Sequence, residues 1–274
     1  MGGSLLSYNH QTGGNPLKYR MLLFDLDGTL LRSDKTISGY TLENLNRCRQ
    51  LGLLIGVATS RGEQNAMGFL RQLKPDAIIT SAGALVRCHD EITHINGFTT
   101  DETVHVLHAL RSVCGTDVLM TVDTVDDYYR NYEVPATDTD QTWAMGHMTD
   151  YEAFALPSLK ICFECHDPHL PNAVAAALPH CDLIHFSDGP WYKLTPKNAT
   201  KENAILQMCD ALGLQPAQII AFGDDYADIG MLKMCGLGIA MGNAIEEVKE
   251  VADVVIGSND GDGIANWLEV TFLR

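Results

Sequence analysis

The feature that most constrains the fold is a series of short apolar runs, each followed by a segment of helical length. The runs are MLLFDL from Met21, LLIGVATS from Leu53 and DAIITSAG from Asp76, and helical segments at Thr41 to Leu51 and Glu63 to Leu73 separate them. Continuous apolar runs of this length are typical of strands buried on both faces. Strands that alternate with helices predict an α/β fold with a doubly wound, Rossmann-like parallel sheet.

The same alternation returns near the C-terminus, after a region with a different pattern. It resumes with a helix capped by Thr200 and continues through apolar runs in QIIAFGDD, LGIAM and ADVVI, with Asn243 and Glu246 spaced as a capping pair before a further helix. Between about Ala84 and Lys193 the pattern loosens into alternating strands, helices and an acid-rich loop. We therefore predict a flexible tail at 1–16, one core domain from 17–83 and 194–274, and an inserted α+β domain at 84–193.

Charge and composition limit the partners. The 274 residues carry 19 Lys and Arg against 35 Asp and Glu, a net charge of -16, which disfavours nucleic acid and anionic membranes as partners. A small anionic substrate remains compatible, because a local site can be cationic or hold a metal. No apolar run is long enough to span a bilayer, and the first sixteen residues lack the pattern of a signal peptide. With eight cysteines read as reduced thiols, we predict a cytoplasmic protein.

Polar residues cluster where the predicted core strands end. Asp25, Asp27, Gly28 and Thr29 follow the first strand, Thr59, Ser60 and Arg61 the second, and Asp224, Asp225 and Asp228 a later one, while Lys197 and Lys201 precede the helix that leads to it. The carboxyl ends of parallel strands open into one crevice, so these side chains are predicted to meet there.

The chemistry of that set is most consistent with phosphoryl transfer. Several carboxylates in one cleft repel each other unless a cation lies among them, and Mg²⁺ binds one or two carboxylates together with phosphate oxygens. In FDLDGTLL one acid can attack phosphorus to form an aspartyl phosphate, and the second can protonate the leaving alcohol and later activate water. Backbone N–H groups at Gly28 and Thr29, the Thr59 hydroxyl and a lysine could hold the phosphoryl oxygens.

These motifs resemble those of a known superfamily. FDLDGTLL, ATSR at Ala58 to Arg61, Lys201 before a helix, and GDDYAD at Gly223 to Asp228 are similar to the four motifs of haloacid dehalogenase superfamily phosphatases. The closing stretch AMGNAIEEVKEVADVVIGSNDGDGIANWL and the large insertion resemble the Cof-type branch, with its class IIB cap. The resemblance covers nearly everything from Met21 onward.

The resemblance implies a role for each matching residue. Asp25 would be the nucleophile, Asp27 the acid and base, Thr59 a phosphoryl ligand and Lys201 the stabilising cation. Mg²⁺ would be held by Asp25, Asp224, Asp228 and the backbone carbonyl of Asp27. Substrate binding is predicted for Gly28, Thr29, Ser60 and Arg61. The insertion would be a cap that closes over the site and selects the leaving group.

The chain departs from the family pattern at a few positions. Ala227 and Ala82 stand where Asn is usual, and Ser60 and Glu202 stand where Gly is common. Lys197 lies one helical turn from Lys201, so the choice of Lys201 rests on the family pattern. These departures bear on substrate range and rate more than on reaction type.

Alternatives remain at this point. The same fold could serve a phosphomutase, and a phosphoacceptor module or a catalytically silent sensor would share much of the acid cluster. CFECH at Cys162 to His166 matches a haem or zinc pattern, but its alternation is that of an ordinary strand. Substrates could be sugar phosphates or phosphorylated cofactors. Candidates for facing the site from the inserted domain are Trp143, Met145, His147, Tyr128 and Tyr129. The sequence does not indicate an oligomeric state.

Overall fold

The computed structural model describes residues 18–138, 140–186 and 189–273. The predicted tail at 1–16 lies outside these ranges. The strands are β1 Met21–Phe24, β2 Leu54–Ala58, β3 Ala77–Thr80, β4 Leu85–Cys88, β5 Glu91–Ile95, β6 Met120–Asp123, β7 Tyr128–Arg130, β8 His147–Met148, β9 Lys160–Glu164, β10 Cys181–His185, β11 Trp191–Pro196, β12 Ile219–Gly223, β13 Leu237–Ala240 and β14 Val254–Val255. The helices are α1 Gly39–Gln50, α2 Glu63–Leu73, α3 Thr100–Cys114, α4 Leu170–Ala177, α5 Lys201–Leu212, α6 Ile229–Met234, α7 Glu246–Val251 and α8 Gly263–Leu268.

The larger sheet has the strand order β14-β13-β12-β1-β2-β3-β4-β5 among the described residues. Strands β14 to β3 in that order are parallel, and β1 lies at the centre, pairing Phe24 with Phe222 of β12 and with Val57 of β2. All four residues of β1 are buried, as expected for a strand covered by helices on both faces. The predicted doubly wound α/β core is confirmed.

Local sequence signals set the ends of the helices that border the site. The Thr200 hydroxyl accepts a hydrogen bond from the Asn203 N–H and starts α5, which ends at Leu212 and is followed by Gly213 with φ 62°. Ser38 starts α1 in the same way by accepting from the Thr41 N–H. Each cap satisfies a backbone donor that the helix leaves without a partner. These caps fix where each helix begins relative to the strand before it.

The second sheet has the order β10-β11-β9-β6-β7-β8 and packs its two faces differently. Met120, Val122, Ile161, Phe163 and Leu194 lie on one face and form a hydrophobic cluster with buried residues of α3 and α4. Most alternate positions of the same strands, among them Thr121, Asp123, Lys160 and Lys193, are polar and point the other way. The second sheet therefore has one face for its own core and a polar face that needs another cover.

The two sheets divide the chain at different points from the predicted boundaries at 83/84 and 193/194. Strands β4 and β5, at 85–95, extend the core sheet antiparallel from β3, and β11, at 191–196, pairs with β9 and β10 of the second sheet. The early boundary was wrong because β5 is an exposed edge strand, so its sequence lacks the continuous apolar run that marks a central strand. No helix among the described residues is both long and apolar enough to cross a membrane.

Candidate functional site

Three carboxylates meet at the carboxyl edge of the core sheet. Asp25 follows β1, and Asp224 and Asp228 follow β12, the strand that pairs with β1. One oxygen of each lies within 4.8 Å of the others. The Asp228 side chain also accepts hydrogen bonds from the backbone N–H groups of Asp224 and Asp225, at 3.0 and 3.2 Å. The loop after β12 is thereby folded so that Asp224 and Asp228 lie close to Asp25.

Lys201 joins two of these carboxylates. Its Nζ lies 2.6 Å from Asp25 Oδ1 and 2.7 Å from Asp228 Oδ1, and the side chain is 3 % exposed. Burial lowers the pKa of a lysine, but Asp228 and Asp25 outweigh it here and raise the pKa of Lys201. Lys197, the alternative from the sequence, is 53 % exposed and pairs with Asp182. The structure places Lys201 in the cluster and Lys197 outside it.

The cluster fits a divalent cation. Burial raises the pKa of Asp25 well above its usual value; Lys201 opposes this, and Asp228 and Asp224 add to it. Burial, followed by Asp228 and Asp225, raises the pKa of Asp224 to about 7 against a hydrogen bond from Thr29. Excess negative charge of this kind is relieved by a hard, oxygen-liking ion. The Asp27 carboxylate is not one of the three, so a role for that residue in metal binding is left to its backbone carbonyl, as the resemblance implied.

The loop after β1 is built around Gly28. Its φ is +76°, and a Cβ atom there would lie 2.1 Å from Asp224 Oδ2, so only glycine lets the backbone approach that carboxylate. Thr29 Oγ1 donates to Asp224 Oδ1 at 2.6 Å. The Asn243 side chain donates to the Gly28 carbonyl at 2.7 Å and accepts from the Asn259 N–H at 3.0 Å. The predicted capping role of Asn243 is wrong, because α7 begins at Glu246 after an extended Ile245 and the Asn243 side chain bonds the loop after β1 instead.

Asp27 lies beside the cluster, in an ion pair with two cations. Arg61 donates from Nε and Nη2 to its two carboxylate oxygens at 2.6 and 2.7 Å, and Lys35 Nζ donates at 2.8 Å. Burial raises the pKa of Asp27, but Arg61 and Lys35 outweigh it and lower the pKa to about 2. Asp27 is thus ionised across the physiological range in this state.

Thr59, Ser60 and Arg61 lie at the end of β2, next to the loop after β1. Thr59 is buried, and its Oγ1 accepts from the Arg61 N–H at 3.1 Å. The Thr59 hydroxyl proton can therefore still be donated to another group. Lys160 Nζ of the second sheet donates to the Ser60 carbonyl at 2.6 Å, and Lys193 Nζ donates to the Ser60 hydroxyl at 3.4 Å. Ser60 is the point where the second sheet meets the end of β2.

Arg61 also connects the core to the short 3₁₀ turn Gln141–Met145 of the inserted region. Its Nη2 lies 2.5 Å from Asp140, its Nη1 donates to Thr142 at 2.7 Å, and its guanidinium lies 5.1 Å from the centre of the Trp143 ring. A guanidinium held on several sides in this way links the two parts of the molecule.

The residues predicted to face the site separate into two groups. Trp143 lies over Arg61, and the buried Tyr128 ring is 6.0 Å from Trp143. Met145 is 74 % exposed, the exposed His147 pairs with Asp127, and Tyr129 packs on the hydrophobic cluster of the second sheet. Trp143 and Tyr128 therefore lie toward the core, and Met145, His147 and Tyr129 do not.

The structure shows the surroundings of three residues that depart from the family pattern, Ala82, Ala227 and Glu202. Ala82 is buried with φ 62°, a left-handed conformation that an asparagine tolerates better than an alanine and that costs about 1–2 kcal/mol. Ala227 lies within the turn Tyr226–Asp228. The neighbouring Tyr226 hydroxyl donates to Glu247, and the Asp228 carboxylate accepts from Lys201 and from the Asp224 N–H. A Cβ atom on Gly230 would collide with Glu202 Oε1, so Glu202 packs closely on the start of α6.

The inserted region approaches the core closely at Gly62. A Cβ atom there would lie 2.7 Å from the Asp123 carboxylate, which pairs with Lys160 at 2.9 Å. We expect Gly62→Ala to displace the Asp123–Lys160 pair and lower turnover about 10- to 100-fold, because small displacements of positioning groups have effects of that size. Steady-state rates measure this. Gly68→Ala is the matched control, since nothing lies within 4 Å of that Cβ position in α2; equal effects of the two changes would contradict the close approach.

Lys193 is a buried cation whose charge should reduce stability. Burial, followed by the charges of Lys160 and Lys201, lowers its pKa from 10.5 to about 8. Between those two values the unfolded chain binds more protons than the folded chain, so stability should rise with pH there. We expect Lys193→Met to raise the free energy of unfolding by about 1–3 kcal/mol near pH 7, with the gain shrinking as pH rises through 8 toward 10.5. Urea unfolding over that range, with Lys197→Met as control, measures it. If the difference in the free energy of unfolding between Lys193→Met and wild type does not change with pH, Lys193 is not a destabilising buried cation.

Sequence reasoning missed the residues that support the site from a distance. Lys35, Asp123, Asp140, Lys160 and Lys193 each contact a residue at a strand end or carry the contact between the two sheets. One signal was available: a lysine at a central position of an otherwise apolar strand, as in LKICF and WYKLT, is unusual for a buried sheet. The partners of those lysines could not be read from the chain.

Comparison with known proteins identifies the family of this chain. Residues 22–268 match the family model of haloacid dehalogenase-like hydrolases. The 5-amino-6-(5-phospho-D-ribitylamino)uracil phosphatase YitU of Bacillus subtilis is 26% identical, covering 92% of this chain and 97% of its own. The HMP-PP phosphatase of Yersinia enterocolitica is 27% identical over 92% and 94% of the two chains. A solved subclass IIB sugar phosphatase of the superfamily shares the fold, with a TM-score of 0.78 and 23% identity over 93% of this chain and all of that one. With nearly the whole described chain inside the family model, this protein belongs to the haloacid dehalogenase-like hydrolase family.

Proposed function

We propose that this protein hydrolyses small phosphate monoesters in a Mg²⁺-dependent reaction that passes through an aspartyl phosphate on Asp25. The observation that carries the proposal is the buried Lys201, bonded at once to Asp25 and Asp228, with Asp224 completing a group of carboxylates within 4.8 Å. The phosphatases among the sequence relatives support the reaction class.

The first half-reaction follows from the position of Asp25. An oxygen of its carboxylate attacks phosphorus, the bond from phosphorus to the ester oxygen breaks, and that oxygen takes a proton from Asp27. Lys201, the Thr59 hydroxyl and the backbone N–H groups of Gly28 and Thr29 hold the phosphoryl oxygens. When bound by Asp25, Asp224, Asp228 and the Asp27 carbonyl, Mg²⁺ would reduce the repulsion between the nucleophile and the phosphate dianion.

The role of Asp27 depends on its ion pair. Held by Arg61 and Lys35, it is already ionised and suited to take a proton from water in the second half-reaction. To donate a proton first, it must be released from Arg61. Because Arg61 also bonds Asp140 and Thr142, movement of the inserted region can change that ion pair. In this proposal Arg61 links the position of the cap to the protonation of Asp27.

The leaving group is expected to lie between the two sheets. The relatives named above act on a ribityl phosphate of a uracil derivative, on HMP-PP and on a sugar phosphate, so the shared reaction tolerates very different leaving groups. We propose sugar phosphates or phosphorylated cofactors as the substrate class for this chain. A cytoplasmic location remains a prediction from the sequence.

Phosphate release from a panel of phosphate monoesters, with Mg²⁺ or with excess EDTA, tests the proposal. We expect phosphate release that requires Mg²⁺. In Asp224→Asn the rate should be lower, and a higher Mg²⁺ concentration should be needed to reach half of the maximal rate. Phosphate moved to another position of the sugar instead of released would identify a phosphomutase. A stable phosphoprotein without turnover would indicate a phosphoacceptor, and no reaction of any ester would indicate a silent site.

A further inference from the structure

The polar face of the second sheet is buried against the core. The side chains that alternate with its hydrophobic cluster include Thr121, Asp123, Arg130, Lys160, Lys193 and Thr195, and every one is buried. Polar side chains on the outer face of a sheet normally reach water, so their burial means that another part of the molecule covers them. Lys160 and Lys193 both reach Ser60, and Asp123 accepts from the Ser81 hydroxyl at 2.9 Å. The cover is therefore the carboxyl edge of the core sheet, where the proposed reaction occurs.

Charge on this face is not balanced within the part of the chain that the structure describes. Lys160 has Asp123 as its partner at 2.9 Å, with both side chains 2 % exposed. Lys193, on the neighbouring strand β11, is 4 % exposed and forms an ion pair with no carboxylate of residues 18–138, 140–186 or 189–273. Its Nζ donates to the Ser60 hydroxyl at 3.4 Å and lies 5.6 Å from the centre of the Phe186 ring. A buried ammonium without a counter-ion is costly, and such groups are normally paired.

The position of Lys193 indicates which anion it would accept. Lys201 donates hydrogen bonds to Asp25 and Asp228. Lys193 bonds neither carboxylate and instead donates to the Ser60 hydroxyl, from the side of the inserted region. The transferring phosphoryl group already has Lys201 as its cation. An additional cation on the cap side of Ser60 lies where the rest of the substrate would be.

We propose that Lys193 binds a second anionic group of the substrate, a carboxylate or a further phosphate on the leaving-group side of the ester. This inference rests on the proposed phosphatase function and narrows its substrate class to phosphate esters with two anionic ends. Lys193 would be a specificity residue that donates charge-assisted hydrogen bonds to that oxyanion. Lys160 is held by Asp123 and Ser60 and supports the same face.

Matched pairs of esters test this. 2-Phosphoglycolate is compared with 2-hydroxyethyl phosphate, and fructose 1,6-bisphosphate with fructose 6-phosphate, so that the carboxylate and phosphate sources of the second anion are separated. In at least one pair, wild type should have the higher kcat/KM for the ester that carries a second anionic group. Lys193→Met should lower kcat/KM for that ester about 10- to 100-fold, chiefly by raising KM. For the ester without the second anionic group, kcat/KM should change less than about 3-fold. Lys193→Arg should recover part of the preference, and Lys197→Met, on the exposed surface, should keep it.

Binding without turnover separates failure of this inference from failure of the proposed function. Calorimetry on Asp25→Asn, which retains the polar face, should show tighter binding of the two-ended esters, and Asp25→Asn combined with Lys193→Met should lose that difference. Equal binding of both members of each pair to Asp25→Asn would overturn the inference whatever the enzyme hydrolyses. Equal loss for both members in Lys193→Met would also overturn it, and would place Lys193 on the transferring phosphoryl group.

Discussion

Asp25→Asn is expected to lower phosphate release at least about 10,000-fold and to abolish any covalent phosphoprotein. An amide oxygen is a poor nucleophile, and no other carboxylate can take its place, because Asp224 and Asp228 belong to the loop after β12 and the Asp228 side chain is fixed by Lys201 and the backbone N–H groups of that loop. Single-turnover assays with rapid acid quench measure both quantities.

The fold should survive this change. Asn is nearly isosteric with Asp, and Lys201 retains Asp228 at 2.7 Å. Far-UV circular dichroism and the unfolding midpoint should therefore be close to those of wild type. Asp210→Asn, which removes an exposed carboxylate from α5, is the charge-matched control and should leave turnover unchanged. Turnover of Asp25→Asn within a few fold of wild type would exclude Asp25 as the nucleophile.

Lys201→Met is expected to lower the free energy of unfolding by about 3–5 kcal/mol in the absence of metal. The change keeps the length of the side chain but leaves Asp25 and Asp228 without the cation between them, in a setting where burial and mutual repulsion already raise the pKa of Asp25. Turnover should also fall, about 100- to 1,000-fold, because a donor to the phosphoryl oxygens is lost. Urea unfolding in EDTA and steady-state rates measure the two effects.

Mg²⁺ should restore more stability to Lys201→Met than it adds to wild type. Without the lysine the three carboxylates carry more uncompensated charge, so they should bind a divalent cation more tightly. Lys197→Met, the change one helical turn away at an exposed position, should alter neither stability nor its response to Mg²⁺. If Lys201→Met unfolds like wild type in EDTA, the ion pairs are not what stabilises this edge of the sheet.

The amino-acid sequence by itself determined the core sheet and the chemical content of its edge. Apolar runs long enough for buried strands, caps such as Thr200 and Gly213, and acids placed directly after the strands are local signals, and parallel pairing forces strand ends to meet. The placement of Asp25, Asp224 and Asp228 together follows from those signals, whereas the choice of Lys201 over Lys197 rested on the family resemblance. The boundary at 84 failed for the converse reason: an edge hairpin pairs on one side only, so its residues carry little of the pattern that marks the core.

Only the tertiary structure decided how the inserted region completes the site. Asp27 is separated by 34 residues from Arg61, and Ser60 by 133 from Lys193, and contacts over such distances depend on how two sheets pack, which no local pattern records. The sequence shows a lysine in the middle of a strand, but whether that lysine is paired, exposed or left as a buried charge depends on what covers the face it lies on. For Lys160 the answer is Asp123 and Ser60, and for Lys193 it is the end of β2 at Ser60, where burial removes water and strengthens the remaining electrostatic interactions.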